Sequence, residues 1–457
     1  MFILLLIFTA MGKVRVFSPD QLRDEFESKY SGGVIQASLG NFGNPTYGTT
    51  ILGKVHLPVK ISELDGCMPL SPIQFEDDPS HAVSPIIMLD RGQCYFVIKV
   101  RHAQDIGAKL VIIVNNNDAD VQSLIMTDNG FGGNLDIPAV LISQEDGNLI
   151  KKYLKDSKFS EKVSLSISFD MKKASGKVKV SFFSTPTSES GRRFMFDFKS
   201  YGSKFNKDNL EFTPHYMLWY CPKCEETNYN IDHPDCISGG RYCSFDPDME
   251  GHLTGRDVMY EDLRQMCLYK YLRYNKDYTK WFKYHSEYYM QCSDEILETK
   301  CSEDIFKAMD IKPKSINDCV NISFTGKNPY LDDNLMMREE HEHLLQNYLP
   351  FYPSIVINEQ IYKGDLEAVA VFEAICAGYD YGTAPDFCGV DYEKDKEKND
   401  GFGTVFIVVL VILCFVLVAG ILVVYRMIVK KDLNRDMRVQ VNSAVAQYFQ
   451  LAEMPEK

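Results

Sequence analysis

The chain has little that would suit it to nucleic acid. Its 49 Lys and Arg are outnumbered by 63 Asp and Glu, for a net charge of −14. That balance argues against nucleic-acid partners and against general binding to anionic surfaces. The first eleven residues contain no charge, and the last 32, residues 426–457, contain neither Cys nor His, which excludes a thiolate- or imidazole-bound zinc module there. Two His four apart on a helix are also missing. Arg338-Glu-Glu-His-Glu-His343 looks like a metal cluster, but position 345 is Leu, so the stretch is expected to be a solvated helix face. Nothing in the sequence calls for a cofactor.

Charge is missing once more from Gly401 to Tyr425, a run of 25 residues. At about 1.5 Å per residue it is long enough to cross a ~30 Å hydrocarbon layer. Arg426, Lys430, Lys431, Arg435 and Arg438 follow it, whereas the ten residues before it, 391–400, are mixed and mostly acidic. The basic excess places residues 426–457 in the cytosol. Phe2 to Met11 is a short apolar stretch with small residues near its end, which reads as a signal peptide over residues 1–12. The expected topology is single-pass type I, with residues 391–400 as a luminal stalk. Cysteine usage fits an oxidising lumen. Of 13 cysteines only Cys414 falls in the span, and the other 12 allow up to six disulfides. Asn321-Ile-Ser323 is the single glycosylation sequon and lies on the luminal side.

Two luminal modules are expected from length. In the first, residues 31–170, Val55–Val59, Ile86–Leu89 and Val163–Phe169 have strand composition. Phe96, Val97, Val100, Ala103 and Ile106 recur at helical spacing and end at Gly107, a natural C-cap. Leu110-Val-Ile-Ile-Val114 reads as a strand buried on both faces. Three ordered blocks, Leu89–Phe96, Ala103–Asn115 and Ile137–Ile142, resemble a protease-associated (PA) domain, which implies a β-sandwich-like core with flanking helices. Cys67 and Cys94, the module's two cysteines, are expected to bond to each other. The Arg91-Gly92 turn offers backbone N–H groups and a guanidinium beside a helix start, which suits a carboxylate or peptide carbonyl. No nucleophile, base and acid set accompanies it.

The second module, residues 176–390, follows a thioredoxin plan. Val178–Phe183 is a strand, Arg192–Tyr201 a helix and Phe212–Tyr220 a second strand. Two short strands, Phe351–Asn358 and Gln360–Gly364, and a helix, Leu366–Ala377, close it, with Pro353 at the position of that fold's cis-proline. A helical, Tyr- and Cys-rich insertion occupies residues 258–347, its aromatic residues expected mainly in the core. Cys221-Pro-Lys-Cys224 has dithiol spacing but follows the second strand. The place where a thioredoxin dithiol gains a lowered pKa, Glu189–Phe194 after the first strand, has no cysteine. Structural disulfides are therefore expected, and zinc at Cys221, Cys224, Cys236 and Cys243 is disfavoured in this compartment.

End to end, this order is similar to that of the vacuolar sorting receptors. Ser38–Gly48, Pro214–Pro222, Gly240–Pro247 and Ala446–Leu451 carry the likeness. Overall the resemblance implies an α+β multidomain chain with one transmembrane helix. It implies a non-enzymatic receptor of Golgi, prevacuolar or endosomal membranes that binds soluble hydrolase or vacuolar precursors. Cargo peptides would lie along Arg91, Gly92, Gln93, Cys94, Tyr95 and Phe96, with Asn41, Phe42, Gly43, Met126 and Asp128 as neighbours. Tyr448 and Leu451 would form the Tyr-x-x-Leu signal for a clathrin adaptor. The epidermal-growth-factor-like repeats of plant members do not fit between Cys388 and Gly401. A luminal thiol oxidoreductase and a resident luminal tether are the alternative readings.

Overall fold

A computed structural model describes residues 12–389, apart from 76–83, 131, 161, 222–232, 251, 275–278, 293–295, 348 and 350, together with Arg426. The expected signal peptide, stalk, span at 401–425 and tail motif at Tyr448 and Leu451 lie outside the described residues. Among the described residues no helix is long and apolar enough to cross a membrane.

The first module contains β1 (Gly12–Ser18), α1 (Asp20–Lys29), β2 (Ile35–Leu39), β3 (Thr50–His56), β4 (Ser84–Asp90), α2 (Phe96–Asp105), β5 (Leu110–Val114), β6 (Ala139–Ile142), α3 (Gln144–Lys155) and β7 (Ser164–Phe169). Its strands close into a barrel in the order β1-β2-β6-β5-β4-β3-β7, where a sandwich-like core was expected. Closure depends on β1, which pairs antiparallel with both β2 and β7. The barrel therefore takes in Gly12–Ser18, which lie outside the 31–170 range expected for the module. Val14 and Val16 point inward and Lys13, Arg15 and Phe17 outward, the alternation of a strand buried on one face. β5 is buried on both faces as expected. Leu110, Ile112 and Val114 enter the barrel core, while Val111 and Ile113 face a second core under Val97, Val100 and Ala103 of α2.

The second module contains β8 (Val178–Ser184), α4 (Glu189–Gly202), β9 (Leu210–Tyr216), β10 (Trp219–Tyr220), β11 (Cys236–Ile237), β12 (Tyr242–Cys243), α5 (Gly255–Tyr274), α6 (Thr279–Gln291), α7 (Thr299–Ala308), α8 (Pro313–Ile322), α9 (Leu335–Asn347), β13 (Ser354–Ile357), β14 (Gln360–Ile361) and α10 (Ala368–Ala377). Its main sheet runs β14-β13-β8-β9, with β8 and β9 parallel and β13 antiparallel to β8. The Tyr352–Pro353 peptide is cis. The insertion folds as α5 to α9 around a buried aromatic group, Trp281, Tyr284 and Tyr288, each 1 % exposed or less. Its polar centre is Glu261, which accepts from Arg264 Nε, Gln265 Nε2, Tyr284 Oη and Ser302 Oγ at 2.7–3.1 Å. Four such bonds are what a buried carboxylate needs. Disulfides 236–243, 267–319, 292–301 and 376–388 pin this module, and Cys67–Cys94 pins the first.

The stretch Arg338–His343 departs from the expected solvated face at one residue. Glu340 is buried and accepts from His215 Nδ1 at 2.9 Å and the Tyr216 amide at 3.0 Å, so it anchors α9 to β9. No metal-holding group of His, Cys, Asp and Glu occurs among the described residues.

Candidate functional site

The Arg91 turn is built by three elements. β4 ends at Asp90, whose carboxylate pairs with Lys151 of α3. The Arg91 amide then donates to Val114 O at 2.9 Å, and Arg91 Nη1 donates to Asn115 Oδ1 at 2.8 Å. Arg91 also stands 5.8 Å from the Phe96 ring centroid, within cation–π range. Gly92 and Gln93 have φ of 124° and 68°, so the chain bends back and the Cys94 amide reaches Gly92 O at 2.8 Å. The Cys67–Cys94 bond, with Cα atoms 5.7 Å apart, then holds Met68 and Tyr95 in one region. Both are well exposed, at 66 % and 62 %. The result is an open patch joining a guanidinium, a bent backbone and two apolar side chains. Such a patch can bind a peptide by a carbonyl or carboxylate together with an apolar neighbour.

Two residues that sequence reasoning missed hold this turn from beneath. Lys99 is fully buried, and its ammonium donates to Gly92 O at 2.6 Å, to Asp65 O and to the Cys67 sulfur at 3.3 Å. Burial lowers its pKa, against the pull of Asp65 and Asp90. A lysine on the apolar face of α2, three residues after Phe96, was the available signal. Asn115 is also buried, and its amide group ties Arg91 to the loop at Asn117 and Ala119. Its signal was an amide side chain directly after an apolar strand.

The remaining expected site residues stand elsewhere. β4, β5 and β6 are parallel, so Asp90, Val114 and Ile142 share one end of the sheet. β2 runs antiparallel to β6, with Leu39 opposite Val140, and the Gly40 amide bonds Ala139 O at 2.9 Å. Asn41, Phe42 and Gly43 therefore emerge at the opposite end from Arg91, which corrects their expected place as its neighbours. They do meet Met126, whose carbonyl accepts the Asn41 amide at 2.8 Å. Phe42 and Met126 are completely buried and shape this end from inside. Asp128 is occupied in its own turn, accepting from the Gly130 and Gly132 amides at 2.9 and 2.8 Å.

That second group faces the thioredoxin-like module. The Gly43 amide donates to Asp365 Oδ1 at 3.2 Å, and the Asp365 amide returns a bond to Gly43 O at 2.9 Å. Tyr47 Oη donates to Lys363 O at 3.0 Å and accepts from the Lys363 amide at 2.9 Å. The Tyr47 and Tyr362 rings meet at a tilt of 39°, with centroids 5.5 Å apart. Burial pushes the Asp365 carboxyl up to about 7, with Glu367, Asp128 and Asp136 adding to the shift and the Gly43 amide opposing it.

The place of a thioredoxin dithiol carries none. Ser184 leads through Thr185 and Pro186 to Ser188, which caps α4 by accepting from the Gly191 amide at 3.2 Å. Cys221 is disulfide-bonded and follows β10, on the separate small sheet β10-β12-β11 that also holds Cys236–Cys243. Neither lies at a helix N-terminus that would stabilise a thiolate. The full chain, purified in detergent, is expected to show no turnover in an insulin-reduction assay. Activity that disappears in Cys221→Ser would overturn this.

Comparison with known proteins supplies the class first. Residues 54–150 match the PA domain, and residues 181–376 match the vacuolar sorting receptor thioredoxin-like domain. Vacuolar-sorting receptor 7 of Arabidopsis thaliana is 29% identical over 417 residues, covering 85% of this chain and 62% of that protein. Vacuolar-sorting receptor 1 of Pisum sativum is 26% identical over 414 residues, with the same coverage. Among solved structures, the oxidoreductase DsbA of Xylella fastidiosa overlaps 45% of this chain and 89% of its own, at 11% identity and a TM-score of 0.27, too partial a superposition to bear on function. The chain is thus similar to the vacuolar sorting receptors across both modules, and it spans about three fifths of the length of the curated relatives it matches.

Proposed function

We propose that this chain is a type I membrane cargo receptor. It binds soluble hydrolase or vacuolar precursors in the Golgi lumen and delivers them to a lysosome-like or vacuolar compartment. The observation that carries this reading is the pairing of the receptor-type thioredoxin-like domain with a PA domain that offers the open Arg91–Phe96 patch. Cargo peptides bind across Arg91, Gly92, Gln93, Tyr95 and Phe96, with Met68 alongside. Lys99 and Asn115 fix the shape of the patch without touching cargo. Asn321 is exposed near the end of α8 and carries the luminal glycan.

Charge-assisted bonds of the kind Arg91 offers are worth ~1.5–3 kcal/mol each. Arg91→Ala in the full chain is therefore expected to weaken cargo-peptide binding about tenfold or more in a calorimetric titration, with the melting temperature unchanged. Equal affinity in the variant removes Arg91 from the site.

The tail is proposed to recruit a clathrin adaptor through Tyr448 and Leu451. In an extended peptide these two side chains fall on the same side and can each fill a pocket while the backbone pairs with a sheet edge. Tyr448→Ala or Leu451→Ser should move the receptor toward the cell surface and leave cargo binding intact. An unchanged intracellular distribution in both variants favours the resident tether instead.

A further inference from the structure

The N-terminus of α4 is closed over by the helical insertion, and the cavity between them is lined by buried hydrogen-bonding groups that lack partners. The interior of the cavity holds only about 30 Å³, and the space beyond it is open to solvent at the mouth. Its floor is the end of β8, Ser184 to Pro186, and the first turn of α4, Gly191 and Arg192. α6 covers it with Trp281, His285 and Tyr288. Gly191 packs closely there: a Cβ at that position would stand 2.1 Å from Ser184 Oγ, which would have to turn away.

Four nitrogen atoms in this lining are buried without a hydrogen-bond partner among the described residues: Nε and Nη1 of Arg192, Nε1 of Trp281 and Nε2 of His285. Trp281 is only 1 % exposed. Arg192 uses Nη2 on the exposed Glu189 carboxylate, which leaves its other donors unspent. Burial holds His285 near 3, so its ring is neutral at physiological pH and can present an N–H at Nε2. Native proteins rarely leave several buried polar groups unsatisfied at one place, and such a cluster calls for a bound group that accepts. The positive end of the α4 dipole adds to the preference for an anion.

From this geometry we infer that the Arg192–Trp281–His285 cavity is a binding pocket for a carboxylate carried on a small apolar body. The carboxylate accepts from Arg192, the Trp281 indole and His285 in the narrow interior. The apolar body lies against the Pro186, Met195 and Pro214 side of the lining. A free branched-chain acid and the terminal residue of a peptide share this chemistry. The pocket occupies the place where a thioredoxin carries its dithiol, and it is independent of the Arg91 patch.

The chain has two tryptophans, and Trp219→Phe leaves Trp281 as the sole indole. In the full chain bearing Trp219→Phe, titration with isocaproate and with N-acetyl-leucine should change Trp281 emission saturably. N-acetyl-leucinamide, which lacks the carboxylate, should bind at least tenfold more weakly. Isocaproate binding as tightly as N-acetyl-leucine assigns the pocket to free acids, and tighter N-acetyl-leucine binding assigns it to peptide termini. Arg192→Gln should weaken either ligand tenfold or more, while Arg193→Gln, next to it on the exposed face, should not. If Arg192→Gln lowers the melting temperature, calorimetry on Trp281→Phe in the otherwise native chain replaces it, with the same loss expected. No saturable response, or equal binding of acid and amide, contradicts the proposal and leaves the cavity to ordered water.

Discussion

Gly43→Val is expected to be among the most destabilising single changes in the two folded modules. A Cβ built at Gly43 stands 2.3 Å from the carbonyl oxygen of Ile137 and 3.1 Å from its carbon. Both obstacles are backbone, so no side-chain rotation relieves the clash. The residue also has a φ of 71°, which a β-branched side chain adopts only at a cost. The variant further displaces both hydrogen bonds to Asp365. Together these effects should cost about 3 kcal/mol or more. Thermal melting of the full chain should show the loss, and the Asp365 amide should lose protection in hydrogen exchange. Gly133→Ala is the control, since nothing lies within 4 Å of its added methyl and its φ is not in the left-handed region. It should stay within about 0.5 kcal/mol of the native chain. If Gly43→Val melts with the control, the junction is not tightly packed.

The second large effect is the pH response of that junction. An Asp in the unfolded chain titrates near ~3.9, whereas Asp365 is pushed up to about 7 in the folded protein. Between those values the folded state binds the additional proton. The stability contribution is therefore fully present below about 4 and is lost as pH rises through about 7. Asp365→Asn cannot titrate, yet its amide oxygen still accepts from the Gly43 N–H. Its stability relative to the native chain should therefore grow from pH 5 to about pH 7 and level off by pH 8. The slope is at most ~1.4 kcal/mol per pH unit, and less here because solvent reaches the half-buried carboxyl. Melting curves at pH 5, 6, 7 and 8 measure it. Parallel profiles for the two proteins would show that Asp365 titrates normally. The expected result means that acidification tightens the contact between the two modules.

Local pattern made much of this architecture readable. The run Leu110–Val114 and the spacing from Phe96 to Ala103 each specify an element by themselves, because burial on two faces and a 3.6-residue period leave direct marks. β1 left a weaker mark. Its partner β7 lies some 150 residues on, and pairing across such a distance is set by the closed barrel rather than by local propensity. The Arg91 turn was legible for the same local reasons as α2. The split between Arg91 and the Asn41–Gly43 group was not, since it depends on β2 running antiparallel to β6, a matter of topology. Lys99 and Glu340 look like surface charges in a sequence. Only the carbonyls around Lys99 and the His215–Tyr216 pair facing Glu340 show why each is buried.

The central claim is that the Arg91 patch captures soluble luminal cargo. The full native chain and Arg91→Ala, each tagged at the C-terminus, can be recovered from cells under mild detergent and their bound proteins compared by quantitative mass spectrometry. The account predicts that soluble hydrolase precursors accompany the native chain and fall about tenfold or more with Arg91→Ala. Equal recovery with both chains, or recovery of membrane and folding proteins alone, would contradict it.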